Sequence, residues 1–235
     1  QCICVAYEGM ERFFPADKIV MTGNPIRSII VPATPEMKEA GIKEYGLDPS
    51  RKHIFIVGGS LGSARFNQCM KEWISDGCPG LDGVDVLWQC GKHYRPDIDR
   101  FMDEQRTKNP DVARHIHHSD FIGRMELAYA AADVVISRSG ASSVSELCAA
   151  RKAVIFIPSP NVAEDHQTHN AMALVKKDAA VVVKDAEAME KMIPTALELL
   201  KDPARIATLE ENAGKMALPD AAGKIAEEVY KLIKG

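Results

Sequence analysis

The chain has 235 residues, 46% hydrophobic and 26% charged, and its 29 basic and 33 acidic side chains give a formal charge of −4. That balance supports a sizeable packed core and excludes a disordered chain; without a long basic run, it also argues against a nucleic-acid partner. No apolar run approaches the roughly 18 residues of a membrane-spanning helix, so any membrane contact would be at the surface.

The chain opens Gln1-Cys2-Ile3-Cys4-Val5-Ala6-Tyr7, with no basic stretch leading into an apolar signal core. It reads as a strand entered partway through a protein, and an N-terminal portion beyond it is expected. Strand-like pieces broken by Pro15, Gly23 and Pro25 run to about Arg27. Proline biases the residue before it away from the helical region, so Gly23-Asn24-Pro25 is expected to be a fixed turn or hinge.

From Thr34 strands and helices alternate. Pro35 to Tyr45 reads as a helix with an early proline and Gly46 as its stop. His53 to Val57 is a β-branched apolar run, the pattern of a strand buried on both faces. Further strands are expected at Val84 to Gln89, His115 to Ser119, Asp133 to Ser137, Ala153 to Ile157 and Ala179 to Val183. Between them fall helical patterns at Ala64 to Ser75, Pro96 to Lys108, Met125 to Ala132, Ser143 to Arg151 and His166 to Lys176. The tail from Ala186 to Lys234 is helical, interrupted at Pro203 and Pro219. This alternation implies an α/β fold, a doubly wound parallel sheet with helices on both faces. Ligands of such sheets bind beyond the carboxyl ends of the strands, where the strand order reverses.

Two small-residue turns sit at such strand ends. Gly58-Gly59-Ser60-Leu61-Gly62 follows the HIFIV strand and precedes a helix. Its glycines permit close approach of a ligand, and the N–H groups and dipole of the next helix favour an anion. Ser137-Arg138-Ser139-Gly140-Ala141-Ser142-Ser143 follows the strand that begins at Asp133, with Arg138 supplying charge. Glu146 then lies one turn into the helix, where a carboxylate could accept both hydroxyls of a ribose. Two plainer readings stay open: a tight strand-to-helix turn at the first, and Ser142 or Ser143 as helix cap completed by Glu146 at the second. A third constellation, Pro158 to Asn170, places Gln167 and Asn170 three apart on one helical face, where amides suit an array of sugar hydroxyls.

Metal and redox readings are weaker. His166 and His169 are spaced i, i+3 rather than as in HExxH, so Glu164, Asp165 and these histidines do not argue for zinc. His115, His117 and His118 split across two strand faces. Six cysteines (Cys2, Cys4, Cys69, Cys78, Cys90, Cys148) show no CxxC pair and no zinc spacing, and a reduced protein is expected. Neither glycine turn meets the GxGxxG rule of a dehydrogenase, and there is no GxSxG elbow.

The motifs TGNPIR (Thr22 to Arg27), GGSLG (Gly58 to Gly62), QCGKHY (Gln89 to Tyr94), DFIGRM (Asp120 to Met125), ADVVISRSGASSVSEL (Ala132 to Leu147) and PSPNVAEDHQTHNA (Pro158 to Ala171) occur in order. Together they resemble the MurG-type peptidoglycan N-acetylglucosaminyltransferases, over nearly the whole chain. The resemblance implies the C-terminal, donor-binding half of a two-domain GT-B glycosyltransferase. Residues 1–27 would end the acceptor domain and form the hinge. Residues 28–218 would bind the UDP-sugar, and 219–235 would form a helix packing toward the N-terminal domain.

The family's reaction is inverting transfer of N-acetylglucosamine from UDP-N-acetylglucosamine to lipid I, giving lipid II, with no cofactor and no metal. By resemblance Arg27 and Ser60 would contact the diphosphate, and Ile122 would pair its backbone with uracil. Ala141, Ser142, Ser143, Val144, Ser145 and Glu146 would wrap the nucleotide, with Glu146 on the ribose. Gln167 and Asn170 would read the sugar, while Gly58, Gly59, Gly62, Arg138 and Gly140 form the phosphate turns. Catalytic residues are expected outside this chain, which alone would bind without turnover. The implied location is cytoplasmic, peripheral on the inner face of the bacterial plasma membrane, with lipid I bound through the absent domain. Another GT-B UDP-sugar transferase, such as a glycolipid synthase, and an inactive nucleotide-binding module are the competing readings. Two positions depart from the family pattern: Ser63-Ala64-Arg65 stands for Ala-Arg, and Arg151-Lys152-Ala153 for Gly-Lys-Pro.

Overall fold

The computed structural model describes residues 2–7, 9–162 and 165–234. The apolar run at His53 forms the central strand, β3 (Lys52–Val57), with every residue from His53 to Val57 buried. β3 pairs on one side with β4 (Val84–Gln89), which pairs with β5 (Ile116–Ser119). On its other side lies β6 (Val134–Ser137), followed by β7 (Val154–Phe156) and β8 (Val181–Val182). All pairings are parallel, in the order β5-β4-β3-β6-β7-β8. The chain therefore winds outward from β3 in one direction, then returns to its other flank, and the β3/β6 boundary is the switch point. Before this sheet, β1 (Ile3–Val5) and β2 (Ile19–Met21) pair in parallel as a separate two-stranded sheet.

Helices cover both faces because the strands are apolar on both. One core holds Ile54, Ile56, Trp88 and Ile136 against α2 (Ala64–Ser75), α3 (Arg95–Lys108) and α8 (Ala188–Leu200). The other holds Phe55, Val57, Val135 and Phe156 against α5 (Met125–Ala131), α6 (Ala141–Ala149) and α7 (His166–Val175). Trp88 is fully buried, and its indole N–H donates to Asn67 Oδ1 at 3.0 Å while Asn67 Nδ2 donates to the Cys90 carbonyl at 2.9 Å. That chain satisfies the polar atoms carried into the core. α1 (Pro35–Glu44) starts as its sequence dictates, with the Thr34 hydroxyl accepting from Met37 N–H and Pro35 in the first turn. A short α4 (Pro110–Ala113) leads into β5, and α9 (Pro203–Lys215) and α10 (Ala221–Lys234) complete the chain.

Several expected boundaries shift. β7 and β8 are shorter than the runs at Ala153 and Ala179 suggest. α6 begins at Ala141, two residues before the expected start, with Gly140 as its cap and no capping side chain. The reading of Ser142 or Ser143 as cap therefore fails, because both lie inside the helix. Arg151, at the position where the resembled family has glycine, adopts φ +50°, a left-handed conformation that favours glycine. The six cysteines are free, and burial pushes the thiols of Cys78 and Cys148 up to about 12.

Candidate functional site

The carboxyl ends of the strands stand in register. Ser119, Gln89, Val57 and Ser137 are successive Cα partners across β5, β4, β3 and β6. The loops leaving that row build two adjoining cavities that share Gly59 and Ser143. They lie where the strand order predicts a ligand.

The smaller cavity, about 240 Å³, is bounded by Arg27, Ser60, Gln89, Ile122, Tyr129 and Glu146. Glu146 Oε1 accepts from Arg27 Nε at 3.0 Å and Nη2 at 2.9 Å, and Oε2 from Nη2 at 3.1 Å. Tyr129 Oη donates to Oε2 at 3.2 Å. Burial, reinforced by the neighbouring Glu146 charge, raises the Tyr129 phenol, so it stays a donor. Ile122 is buried beneath the cavity, while Phe121 beside it is 59% exposed. Gln89 is 3% exposed, and its amide approaches the Ser60 carbonyl at 3.5 Å and the Asp120 carbonyl at 3.4 Å. It thus ties the glycine turn to the loop carrying Ile122.

The larger cavity, about 560 Å³, is bounded by Gly58, Gly62, Arg138, Gly140, Ser159 and Gln167 among others. Its two helix starts differ. Ser63 caps α2 by accepting from Phe66 N–H at 3.3 Å, whereas no side chain caps α6. The first N–H groups of α6 therefore carry the positive end of the helix dipole toward the cavity without a side-chain acceptor. Arg138 is tied down. Nη1 donates to the carbonyls of Ile157 and Pro158 at 2.9 and 3.2 Å and to Asp185 Oδ1 at 2.6 Å, and Nη2 donates to Ser63 Oγ at 3.0 Å. Arg65, the displaced arginine of the sequence, meets Asp185 Oδ2 at 3.3 Å. Two cations against one carboxylate leave this corner positive.

Gln167 Oε1 accepts from Ser159 N–H at 2.9 Å, which holds the proline loop against α7. Asn170 Nδ2 donates to the Ser139 carbonyl at 3.0 Å, and Ser139 Oγ to the Gln167 carbonyl at 2.8 Å. The helix and the turn after β6 are therefore one bonded unit. The remaining α6 residues divide. Ser143 and Glu146 face the cavities, whereas Val144 and Ser145 line a separate hollow on the opposite side with Cys148. Ala141 is half-buried and Ser142 exposed.

The other sequence candidates lie elsewhere. His115 and His117 converge on Asp85 at 2.8 and 3.6 Å, at the amino end of β4, and His118 meets Asp99 at 2.7 Å. Glu164 lies outside the described residues; among the described residues no group of three potential metal ligands assembles. Among the described residues no helix is long and apolar enough to cross a membrane. Tyr129, Gln89, Asn24 and Asp185 escaped the sequence reading. A lone tyrosine in the apolar run MELAYAA was the available signal, since a buried phenol needs a partner.

Known proteins resemble this chain in sequence and in fold. Residues 53–225 match the model of the glycosyltransferase family 28 C-terminal domain. A Bacteroides thetaiotaomicron UDP-N-acetylglucosamine–N-acetylmuramyl-(pentapeptide) pyrophosphoryl-undecaprenol N-acetylglucosamine transferase is 47% identical over 232 residues, 99% of this chain and 60% of that protein. The Bacteroides fragilis enzyme of the same name is 48% identical over 230 residues, 98% of this chain and 59% of its own length. The chain thus spans about 60% of the relatives it matches. Among solved structures, Acinetobacter baumannii MurG superposes with a TM-score of 0.71 at 24% identity, covering 98% of this chain and 60% of that one. The chain belongs to the glycosyltransferase family 28 C-terminal domain family, with the fold of the C-terminal half of a GT-B glycosyltransferase.

Proposed function

We propose that this chain holds UDP-N-acetylglucosamine as the donor domain of a transferase that glycosylates lipid I to lipid II. One observation carries the reading: the uncapped start of α6 and the Glu146 carboxylate open onto adjoining cavities at the switch point, with Ser60 and Ile122 on the same walls. A diphosphate fits the helix start and glycine turn, a ribose fits Glu146, and a base fits the slot over Ile122. Gln167 and Asn170 would then present the sugar-reading face. As UDP leaves, negative charge grows on the diphosphate. Donors fixed at the helix start stabilise that charge more in the transition state than in the ground state. The acceptor, the general base and the membrane contact at the inner face of the bacterial plasma membrane would belong to the part of the relatives that this chain does not span. Within this reading, residues 1–27 are the end of the acceptor domain and the hinge, and 219–235 the helix that packs toward that domain.

Calorimetric titration with UDP-N-acetylglucosamine, with NAD as control, tests the proposal. Selective binding of the sugar nucleotide without turnover supports it. Equal or stronger NAD binding overturns it, and preference for another UDP-sugar in a donor panel reassigns the substrate.

A further inference from the structure

Glu146 is held by partners from its own chain. Arg27 grips it through three contacts between 2.9 and 3.1 Å, and Tyr129 adds a fourth at 3.2 Å. The two sides of the ion pair differ in exposure. The Glu146 side chain is 12% exposed and that of Arg27 48%, so the carboxylate is fixed and the guanidinium is the end that water reaches. Arg27 belongs to the segment between β2 and α1 and lines the same cavity as Gly59 and Ser60 of the glycine turn.

A carboxylate holding a ribose diol uses the same oxygens that the arginine fork now occupies, so both cannot be held at once. We propose that Arg27 is a placeholder: it sits in the ribose seat on Glu146 and passes to the diphosphate when a nucleoside diphosphate binds. This rests on the donor-site reading above. Ribose and diphosphate recognition are then coupled through one side chain. A nucleoside without phosphates displaces Arg27 and offers it no anion in return. A nucleoside diphosphate supplies that anion at the next wall of the cavity.

The exchange is local. Asn24, three residues before Arg27, anchors its Nδ2 on the Ala141 carbonyl at 3.3 Å and Ser145 Oγ at 3.1 Å, on α6 itself. The main chain is therefore moored to the helix that carries Glu146, and only the long arginine side chain has to swing. Tyr129, buried and still protonated, keeps its bond to Oε2 and holds the carboxylate in place during the exchange.

The test titrates the 235-residue chain and its Arg27→Met variant with UDP and with uridine, after thermal melting has shown the variant folded. UDP affinity is expected to fall about tenfold, because a charge-assisted contact is lost. Uridine affinity is expected to rise about three- to fivefold, the scale of a half-exposed ion pair that no longer competes. Raising salt should strengthen uridine binding to the unmodified chain and leave the variant's unchanged, since only the former must break an ion pair. Arg27→Lys keeps the charge for the diphosphate but not the bidentate fork, and should retain most UDP affinity while sharing the gain for uridine. Uridine binding unchanged or weakened in Arg27→Met, with UDP still bound by the unmodified chain, overturns the placeholder. Loss of UDP binding by the unmodified chain overturns the donor-site reading itself.

Discussion

Arg138 Nη1 lies 2.6 Å from Asp185 Oδ1, and both side chains are only 13% exposed. The pair joins the turn after β6 to the short helical turn that follows β8, 47 residues further along the chain. Arg138 also braces the α2 cap through Ser63 and stacks 4.6 Å over the Phe66 ring. Arg138→Ala strips those contacts and leaves a buried carboxylate dependent on Arg65 alone. A loss of about 3 kcal/mol is expected in urea unfolding, because removing one partner of a buried ion pair is costly. Arg138→Lys should not restore it, since an ammonium cannot reproduce the planar fork. An unchanged unfolding midpoint for either variant would show that Arg138 is not a strut.

Much of this was legible in the residues, and the rest was not for definite reasons. The β-branched run at His53 and the GGSLG turn at its end follow from local pattern, because parallel strands buried on both faces need continuous apolar runs. Glu146 and Gln167 could be singled out by their distance from a turn. What the sequence could not show is pairing at long range. Arg138 reads as a cation beside a phosphate turn until Asp185 is found opposite it, and Arg27 lies 119 residues from Glu146. The start of α6 was misjudged because serine is the commoner cap, whereas here Gly140 leaves the helix N–H groups open.

Glu146→Ala should weaken UDP binding at least about tenfold, since hydrogen bonds to a charged group are among the stronger ones. The loss is expected to come from the ribose. A 2′-deoxy analogue, already short of one hydroxyl, should therefore lose less on the same substitution. Calorimetry giving an unchanged affinity for UDP-N-acetylglucosamine would remove Glu146 from the ribose site.

Gln167→Ala should act on the sugar rather than the nucleotide. Gln167 borders the larger cavity and fixes the proline loop through Ser159 N–H. Affinity for UDP is expected to stay near that of the unmodified chain, while preference for UDP-N-acetylglucosamine over other UDP-hexoses narrows. A parallel loss of UDP affinity would mean that the residue supports the fold of the loop instead.

Asp85 makes a stability prediction well away from the site. It is 1% exposed and accepts from Asp48 N–H and His115 at 2.8 Å each, with Arg51 Nε at 2.6 Å and His117 at 3.6 Å. Burial alone would raise its carboxyl. The nearby His117 imidazole, together with hydrogen bonds from the Asp48 N–H and His115, outweighs that and holds it well below the usual carboxylate range. A carboxylate depressed in the folded state stabilises the protein above its unfolded value near pH 4, and this is lost as the pH falls through the folded value. Asp85→Asn should therefore cost about 3 kcal/mol near neutral pH and progressively less in acid. Because Asp85 lies at the amino end of β4 and the site at the Gln89 end, UDP affinity should not change. A penalty independent of pH would point to packing rather than charge.

Gly59 and Gly62 occupy the same turn with positive φ, +90° and +77°, yet their surroundings separate two effects. A Cβ on Gly59 meets nothing within 4 Å, whereas one on Gly62 runs into the Cys90 backbone, where the turns after β3 and β4 pack main chain against main chain. Gly59→Ala should thus cost only the left-handed strain, about 1–2 kcal/mol. Gly62→Ala adds a backbone clash that no side-chain rotation relieves, for about 3 kcal/mol or more in total. Binding should rank the other way per unit of stability lost. Gly59 lines both cavities, so its methyl group would stand where the proposed donor site brings a diphosphate to the main chain. In urea unfolding and UDP titration together, Gly59→Ala is expected to lose no stability beyond that strain and to lose most of its affinity. Gly62→Ala should lose stability first. If Gly59→Ala binds UDP as the parent does, the diphosphate does not lie against this turn.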